Sequence, residues 1–145
     1  MTDFDTTTPL PDVRRVLPSE APDFLWVVPL MCDDFGLTPA AAERQMRAWP
    51  LHNHYSVVTC GGAIGLAQIN YDMLSTTPDI QEVFLYLGPT GTVRHGLAMQ
   101  AHWIRWGKTV GAARFWFPNT APLPEVRKAY PDVRWRKTWF VELKT

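Results

Sequence analysis

The sequence predicts a mixed α/β (α+β) domain in which a central, mostly antiparallel sheet is flanked by helices. Two observations lead to this fold class. The spacing of apolar residues changes from a helical period to a period of two near residue 55, where two apolar runs are joined by Gly61-Gly62, as is typical of a β-hairpin. A long amphipathic segment from Val93 to about Lys108 then separates the earlier strands from the later ones. This order belongs to a sheet with helices packed against it.

The composition fits one globular domain. The chain has 145 residues, of which 46% are hydrophobic and 19% are charged, so a single core is expected. We expect residues 1–12, which are rich in Thr, Asp and Pro, to form a tail, and residues 13–145 to form the domain. The acidic start lacks the basic and apolar parts of a signal peptide, and no apolar run approaches the length of a membrane span. We therefore expect a soluble, cytoplasmic protein that does not bind membranes.

Charge and cysteine content exclude several functions. Fourteen basic and fourteen acidic residues give a formal net charge of zero, so nucleic-acid binding is not expected. Cys32 and Cys60 lie outside any CxxC motif, which indicates reduced thiols rather than a zinc site. His52 and His54 have the spacing of two ligands on one strand face, but no third ligand is near them in sequence. We predict that they are loop histidines and that no metal is bound.

The first strand is predicted at Val13–Leu17. Ser19 combines a capping hydroxyl with a following acid and proline, so it should begin a helix that runs through about Phe35. Pro29 lies inside this helix and should kink it, because proline cannot donate the backbone hydrogen bond of a helix interior.

A second helix should begin at Thr38-Pro39, carry Ala42, Met46 and Trp49 on one side, and end at Pro50. The hairpin strands follow at Tyr55–Cys60 and Ala63–Tyr71. The rest of the chain alternates strands and helices: a strand at Ile80–Leu87, the long helix from Val93, a strand at Arg114–Phe117, a short helix at Leu123–Ala129 and a final strand at Arg134–Leu143.

Three motifs in this part of the chain match a known superfamily. The strand end Leu85–Pro89 has the order hydrophobic-aromatic-hydrophobic-x-Pro, Gly96 and Ala98 fit the small positions of a Gln/Arg-x-x-Gly-x-Gly/Ala turn, and Asn119 directly follows a strand. With the order of elements, these motifs resemble the GNAT superfamily of N-acetyltransferases. The sequence departs from the pattern at Val93, where the turn usually has Gln or Arg, and in having no tyrosine seven residues after the asparagine.

The resemblance implies that the start of the long helix binds acetyl-CoA or another acyl-CoA. A helix N-terminus suits this role because its first N–H groups have no partner within the helix and lie at the positive end of its dipole. The residues that would hold CoA are Leu87, Arg94, His95, Gly96, Leu97, Ala98 and Asn119.

The same resemblance implies transfer of the acyl group to an amine that enters between the first helices and the final strand. Glu82 is then the candidate base for the ammonium proton, and the N–H near Leu87 is the candidate donor to the thioester oxygen. Tyr130 is the candidate acid for the departing thiolate, and Tyr86 is a second one. Each has a structural alternative: residues 96 and 98 would let a helix pack closely on a sheet, and Glu82 would alternate with Phe84 and Tyr86 on one outward face of its strand.

A second hypothesis is a binding protein without catalysis. Seven tryptophans, five of them after residue 100, and an acidic start opposite a basic end favour an interaction surface. The incomplete motifs are similar to those of small GNAT-like internal virion proteins of tailed phages. The chain would then be an inactive bacteriophage virion or assembly protein, in the host cytoplasm or the virion, that binds other proteins or copies of itself through its tail and Trp-rich surface.

Overall fold

The computed structural model describes residues 9–71 and 77–117. Its regular elements, in chain order, are β1 (Arg14–Arg15), a 3-10 helix (Pro18–Val27), α1 (Val28–Phe35), α2 (Pro39–Ala48), a second 3-10 helix (Trp49–Leu51), β2 (Tyr55–Cys60), β3 (Ala63–Asn70), β4 (Asp79–Tyr86), α3 (Val93–Thr109) and β5 (Phe115–Trp116). The predicted helix Leu123–Ala129 and strand Arg134–Leu143 lie outside the described residues.

The strands form one five-stranded sheet in the order β1-β2-β3-β4-β5. The pairs β1-β2, β2-β3 and β3-β4 are antiparallel, and β5 is parallel to β4. A parallel neighbour requires a crossover connection, and α3 provides it. The mixed, mostly antiparallel sheet with flanking helices confirms the predicted fold class.

The hairpin and the second helix form as predicted. Gly61 and Gly62 have φ angles of 60° and 89°, which is the backbone that a two-residue hairpin turn requires and that glycine adopts without strain. Thr38 caps α2, since its Oγ1 accepts a hydrogen bond from the Ala41 N–H at 3.2 Å. Each of these signals acts through residues that are close in sequence, so it does not depend on tertiary contacts.

The single helix predicted after Ser19 is wrong. The 3-10 helix begins after Leu17, whose N–H donates to Glu20 Oε1 at 2.9 Å, so Glu20 takes the capping role predicted for Ser19. Pro29 does not kink a continuous helix but lies in the first turn of α1, where a missing N–H breaks no helical hydrogen bond. The segment therefore divides into two helices at Val28.

The core lies on both faces of the sheet. The face covered by the 3-10 helix, α1 and α2 buries Val16, Phe24, Val27, Met31, Ala42, Met46, Val57, Ile64, Leu66 and Phe84. The face covered by α3 buries Val58, Cys60, Ala63, Ala67, Ile80, Ala98, Met99 and Trp103. We call these the α1/α2 face and the α3 face.

Candidate functional site

β4 contains a β-bulge at its centre. The pairing with β3 passes from Leu66 opposite Phe84 to Ala67 opposite Glu82, so Val83 is the extra residue. The bulge changes the alternation of side chains along the strand: Phe84 packs on the α1/α2 face, whereas Glu82 contacts α3.

The prediction that Glu82, Phe84 and Tyr86 share an outward face is therefore wrong. Glu82 is only 3% exposed, and its Oε1 accepts a hydrogen bond from Gln100 Nε2 on α3 at 2.9 Å. Burial raises the pKa of the Glu82 carboxyl to about 7, and the bond from Gln100 opposes this rise. Such a group can accept a proton near neutral pH, which is what a base for an amine requires.

Gln100 also has a polar atom without a hydrogen-bond partner. Its Oε1 is buried and has no hydrogen-bond partner in the part of the chain that the structure describes. Buried polar atoms are normally paired because desolvation is costly. A protonated Glu82 has an O–H that can donate to Gln100 Oε1, so this oxygen gains a partner when Glu82 accepts a proton.

Tyr86 lies at the end of β4 on the opposite face from Glu82. Its hydroxyl donates to Asp34 Oδ2 on α1 at 2.7 Å. Partial burial and, secondly, this bond to a carboxylate raise the pKa of Tyr86. Tyr86 therefore keeps its proton at neutral pH. Tyr130, the other predicted acid, lies outside the described residues.

The loop between β4 and α3 is shaped by glycines. Gly88 has a φ of 68°, and a Cβ atom at Gly91 would lie 1.9 Å from the Leu87 carbonyl oxygen, so a larger residue would move the loop. The helix then begins at Thr92, whose N–H donates to His95 Nδ1 at 2.9 Å. His95 thus does what Glu does in a capping box.

The predicted CoA-binding residues at the start of α3 fall into two groups. Gly96, Leu97 and Ala98 are buried, and a Cβ at Gly96 would meet the Leu85 side chain at 3.4 Å. The side-chain positions of these three residues therefore pack α3 against the sheet, and only their backbone groups could face a ligand. Asn119 lies outside the part of the chain described.

Arg94 and His95 are partly exposed in the first turn of α3, and this turn contains no acidic residue. The Arg94 Nη2 donates to the Pro9 carbonyl at 2.9 Å, and the His95 ring packs against Gly61 of the hairpin turn. The start of α3 is therefore a corner built from three segments of the chain, with Arg94 in its first turn.

The edge of β4 leads directly into this corner. In the described residues, β5 pairs with β4 only at Ile80 and Gln81. From Gln81 to Leu87 this edge is about 20 Å long at the usual rise per strand residue. Two tryptophan side chains are held by hydrogen bonds: Trp103 donates to Ser56 of β2, and Trp116 donates to Asp79 at the start of β4.

Sequence reasoning missed a group of three carboxamides at the other end of β4. Gln81 Oε1 accepts hydrogen bonds from Gln68 Nε2 at 3.3 Å and from Asn70 Nδ2 at 2.6 Å. We call these residues the amide cluster. The available signal was polar residues in otherwise apolar strands, but their meeting depends on strand register.

The described ranges show no metal site and no membrane helix. No group of three His, Cys, Asp or Glu residues in 9–71 and 77–117 could hold an ion. His52 and His54 lie in the turn before β2, as predicted, and both cysteines are free. No described helix is long and apolar enough to cross a membrane.

Comparison with known proteins identifies the architecture. No protein-family model matches the sequence, and no curated protein matches it. The structure is similar to the aminoglycoside 6'-N-acetyltransferase AAC(6')-Ih of Acinetobacter baumannii, with a TM-score of 0.64, 15% identity, and coverage of 92% of this chain and 97% of that one.

Two further structures agree. AAC(6')-Iy in complex with CoA has a TM-score of 0.61 at 17% identity, over 92% of this chain and 95% of that one. A GNAT family acetyltransferase of Staphylococcus aureus has a TM-score of 0.59 at 8% identity, over 92% and 98%. Neither the described structure nor these likenesses supports a phage virion origin. The chain therefore has the fold of the GNAT acetyltransferases.

Proposed function

We propose that this chain binds acyl-CoA at the N-terminus of α3 and transfers the acyl group to an amine. The observation that carries the proposal is the continuity of the β4 edge with the start of α3. A ligand with an anionic end and a long neutral arm could bind both: the anion at the helix start, and the arm along the strand.

The residues present fit the anionic part of CoA. Thr92 and the first turn of α3 supply backbone donors at the positive end of a 17-residue helix. Arg94 adds a positive charge, and the first turn has no carboxylate that would repel a phosphate. Gly91 keeps the loop close to the strand end, since any Cβ there would collide with Leu87.

The chemistry follows from the groups along β4. Acyl-CoA supplies a thioester carbonyl carbon. The acceptor nitrogen forms the new C–N bond to this carbon, the C–S bond breaks, the ammonium proton passes to a base, and the thiolate takes a proton. Glu82 is the proposed base because it lies at the bulge with a pKa raised to about 7. The Leu87 N–H is the proposed donor to the carbonyl oxygen, and Tyr130 the proposed acid.

Thermal unfolding with CoA and acetyl-CoA tests the proposal. A ligand at 100 times its Kd should stabilise the folded protein by about 2.7 kcal/mol. We expect a saturable rise in Tm with both ligands, and with acetyl-CoA a release of free thiol that depends on added amine. A protein whose Tm does not change up to millimolar CoA would refute the proposal.

A substitution at His95 tests the proposed CoA site directly. His95→Glu places a negative charge at the helix start, while a glutamate there still accepts the Thr92 N–H as in a capping box. We expect the variant to fold at least as stably as the wild type and to bind CoA more weakly. His95→Gln is the matched control, because it keeps a cap without the charge and should bind CoA nearly as well as the wild type.

A further inference from the structure

The residues before β1 lie along the α3 face of the sheet and reach the start of α3. Leu10 and Val13 pack against the buried core of that face. Between them, Asp12 interacts with the Cys60 thiol at the end of β2, whose pKa is raised by burial and, to a smaller extent, by this carboxylate. We call residues 9–13 the strap, because they join the edge of the sheet to the long helix.

The strap contacts the first turn of α3. The Arg94 Nη2 donates to the Pro9 carbonyl oxygen at 2.9 Å, although the two residues are 85 positions apart in sequence. This bond is exposed to water, so by itself it would restrain a long side chain only weakly. The packing of Leu10, the next residue, keeps the carbonyl in place. The strap therefore restricts where the Arg94 guanidinium can lie.

The chemistry of this contact suits an anion site. A backbone carbonyl is uncharged, so it orients the guanidinium without neutralising it. An arginine side chain has five N–H donors in a planar fork, so one guanidinium can bind a carbonyl and a phosphate oxygen together. A side chain that is oriented before the ligand arrives loses less rotamer freedom on binding, which favours affinity. The strap thus prepares a cation beside the helix start.

We propose that the strap is part of the acyl-CoA site: Leu10 and the Pro9 carbonyl are positioning groups that hold the Arg94 guanidinium where it binds a CoA phosphate. This inference rests on the proposed function. Strap and cofactor then bind together, so displacing the strap weakens CoA binding. In the opposite arrangement the phosphate and the Pro9 carbonyl compete for Arg94, and displacing the strap strengthens CoA binding.

Calorimetric titration with CoA tests the strap through Leu10→Ser, which removes the packing and leaves Arg94 in place. We expect the Kd to rise about 5-fold, as for one hydrogen bond of ordinary strength. Arg94→Gln should raise the Kd about 10-fold, because it removes a charge-assisted contact with the phosphate. The double variant should bind like Arg94→Gln alone, rather than about 50-fold more weakly, since Leu10 acts through Arg94. Independent effects would show a merely structural role.

Leu17→Ser is the matched control. Leu17 follows β1 in the same part of the chain, and it is 55% exposed, so serine there should leave the Kd for CoA unchanged. Leu10→Met is the conservative variant. It keeps an apolar side chain of similar volume on the core and should bind CoA like the wild type.

A measurement on the wild-type protein tests the inference even where Leu10→Ser does not fold. The methyl signals of Leu10 are followed by NMR during titration with CoA, and we expect them to keep the dispersed positions of a packed side chain at saturation. Movement to random-coil positions, or a Kd for Leu10→Ser equal to or below that of the wild type, would overturn the strap alone. A wild type that does not bind millimolar CoA would refute the acyl-CoA proposal, and the role of the strap with it.

Discussion

The two faces of the sheet differ in what they bury. The α3 face is tightly packed around Trp103, which is fully buried and lies so close to Gly65 that a Cβ there would be 2.5 Å from its ring. The α1/α2 face begins as an aromatic core, in which Phe84 stacks on Tyr86 at 4.9 Å, and ends in the amide cluster. The α3 face holds the carboxyl of Glu82 in an apolar setting.

The difference comes from the bulge in β4, which sets the face on which Glu82 lies. Without the extra residue at Val83, Glu82 would lie on the same face as Phe84. With it, the carboxyl is desolvated against α3, and the amide cluster lies on the other face. Four predictions test this division, in order of decreasing expected effect.

The largest effect is expected from Trp103→Ala. The substitution empties the centre of the α3 face and leaves Ser56 without the Nε1–H that donates to it at 3.1 Å. We expect a loss of about 3–5 kcal/mol in the free energy of unfolding, measured by urea titration. Trp49→Ala on the other face should cost less, because Trp49 is only partly buried. Equal losses would contradict the assignment of the tighter packing to the α3 face.

Glu82→Gln should change the pH dependence of stability. The pKa of Glu82 is raised to about 7 from its ordinary 4.5, so the folded protein holds this proton more tightly than the unfolded chain. The stability that Glu82 contributes is thus full below pH 4.5 and is lost as the pH rises to about 7. The glutamine variant should lack this slope and, at pH 8, be more stable by at most about 3 kcal/mol.

A substitution at Gln100, the hydrogen-bond partner of Glu82, is the control for Glu82→Gln. A glutamine at 82 can donate to the buried Gln100 Oε1, which gives that atom a partner. Gln100→Leu instead leaves Glu82 with its burial and without its hydrogen bond, so it should steepen the loss of stability with rising pH. Thermal unfolding from pH 4 to pH 8 measures both variants. A wild type whose stability is flat over this range would show that Glu82 is not desolvated.

Alanine substitutions at two glycines of the α3 face should change the free energy of unfolding by smaller amounts. Gly65→Ala forces a Cβ against Trp103 and should cost about 1–3 kcal/mol as overpacking. Gly96→Ala places a Cβ at an ordinary contact distance from Leu85, and alanine favours a helix by about 0.5–1 kcal/mol over glycine. We therefore expect Gly96→Ala to be neutral or slightly stabilising in urea unfolding. A large loss there would mean that α3 packs more tightly on β4 than the contact distances indicate.

The smallest effect on stability is expected from Asp34→Asn. The bond from the Tyr86 hydroxyl to Asp34 is at the exposed end of the α1/α2 face, so its loss should change the free energy of unfolding by less than about 1 kcal/mol. The pKa of Tyr86 should nevertheless fall toward its ordinary value, because a neutral amide no longer favours the protonated hydroxyl. Ultraviolet titration of the phenolate measures it against Tyr86→Phe.

The local signals predicted most of the described fold. Gly61-Gly62 specified the hairpin because two adjacent positive φ angles suit glycine, and Thr38 specified the start of α2 through one side-chain bond. The apolar spacing after Val93 specified α3. The division at Val28 was not predicted from the sequence. The i→i+3 hydrogen bonds of a 3-10 helix and the i→i+4 hydrogen bonds of an α-helix compete over this segment, which contains two prolines.

The sequence by itself determined the fold class, the hairpin and the position of the candidate helix N-terminus, because each depends on residues that are neighbours along the chain. Only the tertiary structure decided the face on which Glu82 lies and the meeting of Gln68 with Asn70 and Gln81. Both depend on strand register and on one extra residue in β4, and register is set by packing between segments distant in the sequence.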